Sequence, residues 1–193
     1  MEARAASTAA TRERIVEAAQ ARFMSDYYDD VTLRGVAAQA GVALGTVVNH
    51  FKSKDGLFTA VADRLRGQVE AELDEAPVGD TSAAVRTLMD RYEQAGDATV
   101  RALAVEDRVE ALRPLLADGR AHMYAWVERT FEPALHGMTG ERRKRRILTL
   151  VVACDVLTWK QLRRDRGLSR EQTTILVEEL VEGIINRSSG RNQ

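Results

Sequence analysis

Catalytic chemistry has few candidates in this chain. Its three histidines, His50, His122 and His136, lie far apart, and none belongs to a ligand spacing such as HExxH. The single cysteine, Cys154, sits inside the apolar run ILTLVVACDVLTWKQL, where a buried structural thiol is the expected state. No glycine-rich phosphate loop is present, so neither a metal nor a cofactor is expected, and an enzyme is disfavoured. Attention moves to the stretch GVALGTVVNHF, Gly41 to Phe51, which contains no arginine or lysine. Asparagine there can bond a base edge in a bidentate manner, and exposed aliphatics suit a thymine methyl.

The elements around it read as helices. Ile15, Ala18, Ala19 and Phe23 recur at helical spacing within about 10–25. Thr32 is placed to cap a second helix, whose Leu33, Val36, Ala37 and Ala40 face one way. Gly41 can take the left-handed conformation that ends it. A short third helix covers about 43–50, with Ala43, Val47 and Phe51 expected inward and Leu44 and Val48 outward. Ser53 can cap a fourth helix with Asp55 in its first turn, and Leu57, Val61, Leu65, Val69 and Leu73 form a seam along it. Beyond Pro77, helices are expected over about 81–95, 97–111, 113–132, 141–164 and 170–187, the last opened by a Ser169/Gln172 capping box. No segment reads as a strand. The expected fold is all-α, with a helix-turn-helix unit at 1–53, a linking helix at 54–76 and a helical bundle at 77–193.

Composition agrees with a helical globular protein of 193 residues, 45% hydrophobic and 30% charged, with three prolines. The net charge of −1 excludes a chain coated in cations. Residues 1–66 carry nine cationic against eight acidic side chains, and the remainder nineteen against twenty-one. One cysteine fits a reducing compartment, and no apolar run nears the roughly 20 residues that cross a bilayer. A cytoplasmic protein with no membrane partner is expected.

The residue order is more specific than the layout. RERIVEAAQARF followed by VTLRGVAAQAGVALGTVVNHFKSKDGLF resembles the N-terminal signature of the tetracycline-repressor (TetR) family of transcriptional regulators. It departs at Ala43, where the family usually has serine, and at Val48, where a phosphate-contacting tyrosine is usual. A loop glycine is also missing near Asp26 and Tyr27. The resemblance implies that Leu44, Gly45, Val48 and Asn49 face the major groove of a palindromic double-stranded DNA operator. Thr32, Arg34, Thr46, His50 and Lys54 would then hold phosphates. It further implies a homodimer paired through the two C-terminal helices, and a small-molecule effector bound in the C-terminal part. A repressor released by an apolar or amphipathic ligand is the leading reading. The alternative is a helical interaction dimer whose helix-turn-helix no longer binds DNA.

For the effector, His122, Met123, Trp126, Val127 and Phe131 lie on adjoining faces of one helix, and Met89, Tyr92 and Trp159 add apolar or aromatic surface elsewhere. The run ERRKRR, Glu141 to Arg146, is expected to be a solvated helix start rather than a nucleic-acid patch. In the last helix, Leu176, Leu180 and Ile184 form one stripe and Val177, Val181 and Ile185 another.

Overall fold

The computed structural model describes residues 2–74 and 77–187, with side chains for 6–65 and 77–187. Among them the order is α1 (Glu2–Ser25), a 3-10 turn (Tyr28–Asp30), α2 (Leu33–Ala40), α3 (Leu44–Phe51) and α4 (Lys54–Asp74). There follow α5 (Thr81–Leu103), α6 (Leu112–Thr130), α7 (Glu132–Leu135), α8 (Gly140–Ala153), α9 (Val156–Lys160), a π turn (Gln161–Asp165) and α10 (Arg170–Asn186). No strand occurs among the described residues, and no described helix is long and apolar enough to cross a membrane. Packing divides the chain into Met1–Gln68 with Arg101–Leu115, and Val69–Val100 with Leu116–Gln193.

In the first unit the apolar periodicity becomes the core. Ile15, Ala19, Val36, Val47, Phe51, Leu57 and Val61 are buried together, with Leu65 partly buried against them. Val69 and Leu73, the far end of the expected seam, have side chains outside the described residues. Three local devices set the helix boundaries. The Thr32 hydroxyl accepts from Gly35 N at 3.1 Å, Gly41 turns at φ 65°, and the Ser53 hydroxyl accepts from Gly56 N at 3.0 Å. Helix α1 begins at Glu2, well before the expected start near residue 10.

The end of α5 and the segment after it belong to this unit as well. The Arg101 guanidinium donates to Met24 O at the end of α1, and Arg108 pairs with Asp29 at 3.1 Å. Residues 104–111 form tight turns instead of the expected helix over 97–111, with Val105 and Leu112 buried.

In the second unit, two expected helix boundaries move for tertiary reasons. The boundary between the helices expected over 81–95 and 97–111 falls at Gly96, which lies inside α5. A Cβ there would stand 2.5 Å from the Trp159 ring, so the glycine admits an indole and does not stop the helix. The helix expected over 141–164 breaks after Ala153. Asp155 Oδ1 accepts from Leu157 N at 2.8 Å and starts α9, while the Tyr92 hydroxyl donates to Cys154 O at 2.7 Å. That bond supplies a buried carbonyl with the donor the broken helix denies it. The capping box forms as expected, with both Ser169 and Gln172 bonds present. At the far end of α10, Arg146 donates to Ile184 O and to Ile185 O, carbonyls in the last turn of that helix. Arg143 pairs with Glu128 at 2.9 Å, while Arg142, Lys144 and Arg145 are exposed, so the basic run is part structural and part solvated.

Polar groups from the C-terminal helices meet α5 in a row. Arg163 pairs with Glu93 at 2.9 Å, the Trp159 indole N–H donates to the same carboxylate at 3.1 Å, and Arg164 pairs with Asp97 at 2.9 Å. Burial alone would raise the Glu93 carboxyl, but the bonds from Arg163 and Trp159 hold it below its ordinary range.

Gly96→Ala is expected to destabilise the fold by about 1–3 kcal/mol through overpacking against Trp159. Gly119 in α6 has nothing within 4 Å of a built Cβ. Gly119→Ala should therefore stabilise by about 0.4–1 kcal/mol. Chemical unfolding of both variants checks the contrast.

Candidate nucleic-acid interface

Helix α3 has eight residues, too few to persist without tertiary support. Its support is one-sided: Val47 is fully buried and Phe51 nearly so, with the Arg12 guanidinium 5.3 Å from the Phe51 ring centroid. Leu44 and Val48 are each 38% exposed, and Gly45 and Asn49 are exposed beside them. The outward group expected from helical geometry is therefore presented together. Ala43 departs from its expected inward position. It is the N-cap, at φ −69° and ψ 147°, outside the helix whose periodicity placed it, and it is exposed.

Glycine placement separates internal from external demands. A Cβ on Gly45 would meet nothing within 4 Å, so the protein's own packing does not require glycine there. At Gly56 a Cβ would fall 2.2 Å from Phe51 O, so the start of α4 can approach the end of α3 only with glycine. Between them Lys52 adopts φ 66°, and its ammonium donates to Asn49 O at 3.0 Å, closing α3. Neither Gly56 nor the Lys52 turn was singled out from sequence; the D-G pair opening α4 was the available signal.

The remaining expected contacts surround this face without all being alike. Arg34 is exposed at the start of α2. The Thr32 hydroxyl accepts a capping bond and keeps its own O–H for an outside acceptor. Thr46 and His50 are half-buried, His50 beside Phe51 at 5.9 Å between ring centroids. Lys54 is more committed than a free cation: it donates to Tyr28 O at 2.9 Å and to Asp29 O at 3.4 Å. Tyr28, not singled out from sequence, also bonds the Asp55 carboxylate through its hydroxyl. Burial, that bond and the charges of Asp55 and Asp29 push its phenol far above the ordinary range.

The residues expected at an effector site fall into two groups, both in the second unit. Tyr92 and Trp159 have ring centroids 5.9 Å apart, and both polar ends are taken by Cys154 O and Glu93. Trp126 and Phe131 pack edge to face at 5.9 Å, with Val127 buried and His122 and Met123 half-buried on the same helix. His122 Nε2 and the hydroxyl of buried Thr130 have no hydrogen-bond partner among the described residues. Met89 is buried on α5. Burial pushes the Cys154 thiol up to about 12, which suits an inert core residue.

Among the described residues, a helix-turn-helix whose first helix is capped by Thr32 and whose second helix faces outward is a layout that can enter a DNA groove. Residues 15–61 match the family model described as bacterial regulatory proteins, tetR family. Over these residues the chain is similar to the tetR family. A search of curated proteins found no significant match. Solved structures share the fold across the chain. A tetR-family transcriptional regulator from Streptomyces coelicolor aligns at a TM-score of 0.75 and 16% identity, over 95% of this chain and 83% of that one. A transcriptional regulator from Rhodococcus sp. Rha1 aligns at 0.69 and 20%, over 91% and 96%. The multidrug binding protein EbrR, solved with imidazole, aligns at 0.59 and 21%, over 88% of each chain.

Gly45→Ala is expected to keep or raise stability, by up to about 1 kcal/mol, since α3 gains a better helix former in open space. Gly56→Ala should lower Tm clearly by forcing α4 off Phe51 O. Thermal unfolding of the two variants checks the assignment.

Proposed function

We propose that the chain is a dimeric DNA-binding transcriptional regulator, a repressor released from a palindromic operator by a small apolar or amphipathic effector. The observation that carries the DNA reading is the outer face of α3. Leu44, Val48 and Asn49 stand exposed on a helix whose other side is locked by Val47 and Phe51, and Gly45 leaves unneeded room beside them. Aliphatic side chains there meet thymine methyls, and Asn49 takes an adenine edge. Thr32, Arg34, Thr46, His50 and Lys54 supply phosphate contacts around the face. The Val48 aliphatic adds apolar reading where the family's usual tyrosine would add a phosphate contact.

Dimer pairing is supported by α8 and α10, each of which has a second apolar face. Ile147 and Leu150 are buried while Leu148 and Val152 are 46% and 66% exposed. Val177 and Val181 are buried while Ile175, Leu176 and Leu180 are 47%, 37% and 47% exposed. A row of exposed aliphatics on two neighbouring helices suits a helix–helix interface with a second copy. For the effector, the side of α6 bearing His122, Trp126 and Thr130 is favoured over Tyr92 and Trp159, because His122 Nε2 and the Thr130 hydroxyl are buried without a partner among the described residues, whereas the polar ends of Tyr92 and Trp159 are taken. An effector acts by favouring a dimer whose reading helices no longer match major grooves about 34–36 Å apart. A coupling of about 1–3 kcal/mol suffices.

Selection of bound duplexes from a random pool at fixed salt tests the reading, with enrichment of a palindrome expected. On the selected site, Asn49→Ala should relax choice at one base pair by roughly 1–3 kcal/mol. Lys54→Ala should weaken all sequences alike and reduce the salt slope by about one. A pool with no enrichment, or equal losses for Asn49→Ala on selected and random DNA, contradicts it. Leu180→Glu should sediment as a monomer and lose palindrome binding while keeping its helical content. A dimeric Leu180→Glu protein would place the pairing surface elsewhere.

A further inference from the structure

The start of α4 carries two opposite charges in succession, and both are tied to one aromatic residue on another element. Lys54 Nζ lies 4.5 Å from the Tyr28 ring centroid and donates to the Tyr28 carbonyl at 2.9 Å. A weaker bond reaches Asp29 O at 3.4 Å. Two of the three ammonium donors are thus directed at backbone carbonyls, and one remains for an outside acceptor. The Tyr28 hydroxyl donates to the carboxylate of Asp55.

The Tyr28 ring is itself held in place. It stacks on Phe23, with centroids 5.6 Å apart and planes at 20°, and meets Phe58 edge-on at 5.5 Å. Phe58 comes from α4, so the ring joins the 3-10 turn to α1 and α4 before its polar atoms are counted.

Asp55 sits where its charge has opposing effects. In the first turn of a helix a carboxylate complements the exposed N–H groups. Those same N–H groups are what an incoming phosphate would use, so an anion beside them repels it. A carboxylate anchored by a phenol has one fixed position, whereas an unanchored one is drawn towards the helix N-terminus and the lysine.

We propose that Tyr28 is a positioning residue for phosphate binding at the N-terminus of α4. Its hydroxyl ties back the Asp55 carboxylate while its ring and carbonyl hold the Lys54 ammonium, so that a DNA phosphate meets the cation without the neighbouring anion. This rests on the DNA-binding reading of the chain and adds a residue that contributes to affinity without touching DNA.

Fluorescence anisotropy on a random duplex at several salt concentrations tests it, with the full chain and three variants: Tyr28→Phe, Asp55→Asn and the double substitution. Tyr28→Phe keeps the ring and the carbonyl and loses only the hydroxyl. It should weaken binding about fivefold, the scale of one repulsion between unit charges a few Å apart in water. The dependence of log affinity on log salt should keep its slope, because the number of phosphates contacted is unchanged. Asp55→Asn should bind as tightly as the parent protein or more tightly, and the double substitution should match Asp55→Asn within about twofold.

Thermal unfolding on the same samples separates positioning from stability. An unchanged affinity for Tyr28→Phe overturns the proposal. So does a loss that persists in full when Asp55 is also replaced, since the hydroxyl would then serve only the fold. Should the parent protein bind no duplex even at low salt, the regulator reading fails and this inference with it. That outcome is distinct from either of the others.

Discussion

The burial of Val47 and Phe51 is the constraint on which the outward face of α3 depends. Eight residues cannot pay the entropy of helix nucleation, so α3 exists because two of its side chains enter a core built by α1, α2 and α4. The same two contacts fix its rotation about its axis, and thereby decide that Leu44, Val48 and Asn49 face outward. Every other feature of the site secures that arrangement. Gly41 and Lys52 turn the chain at either end of α3 with positive φ, and Gly56 brings α4 against the carbonyl of Phe51. Loosening either buried contact would free the helix to roll, and base contacts tolerate little rotation.

Charge follows from this geometry. On the proposed DNA reading, a helix without arginine or lysine draws its affinity from its borders, and those borders are shared with the fold. Lys52 closes α3 through Asn49 O, Lys54 binds the 3-10 turn, and Thr32 caps α2. Each group does internal work and keeps some capacity for an outside phosphate. The segment after α5 docks on the 3-10 turn through Arg108 to Asp29, and the end of α5 reaches the end of α1 through Arg101 to Met24 O. Asp29 thus meets Arg108 through its carboxylate and Lys54 through its carbonyl.

Local chemistry was legible in the sequence wherever one element decides it. Thr32, Gly41, Ser53 and the Ser169/Gln172 box act over three or four residues, and the structure has each of them. Contacts between distant residues were not legible. The helix boundary expected between 95 and 97 does not occur, because Gly96 lies inside α5 where it admits the Trp159 ring. The hydroxyl of Tyr92, a residue expected at an effector site, donates to Cys154 O, 62 residues away, a bond no local pattern announces. Ala43 was placed inward by extending a period one residue past the end of the helix. Of the candidate site, the outward face of α3 followed from its own period, whereas Tyr28 and Gly56 needed the approach of α4.

The central claim is that α3 reads DNA through an apolar face. Replacing thymine by uracil in the bound site, one position at a time, removes only the C5-methyl group that such a face would touch. At one or two positions per half-site the account predicts affinity about fourfold weaker for the unaltered protein, the worth of roughly one buried methyl. The same replacement should leave a Leu44→Ala protein unaffected at the position Leu44 covers. Equal binding to every thymine-to-uracil duplex would contradict the account.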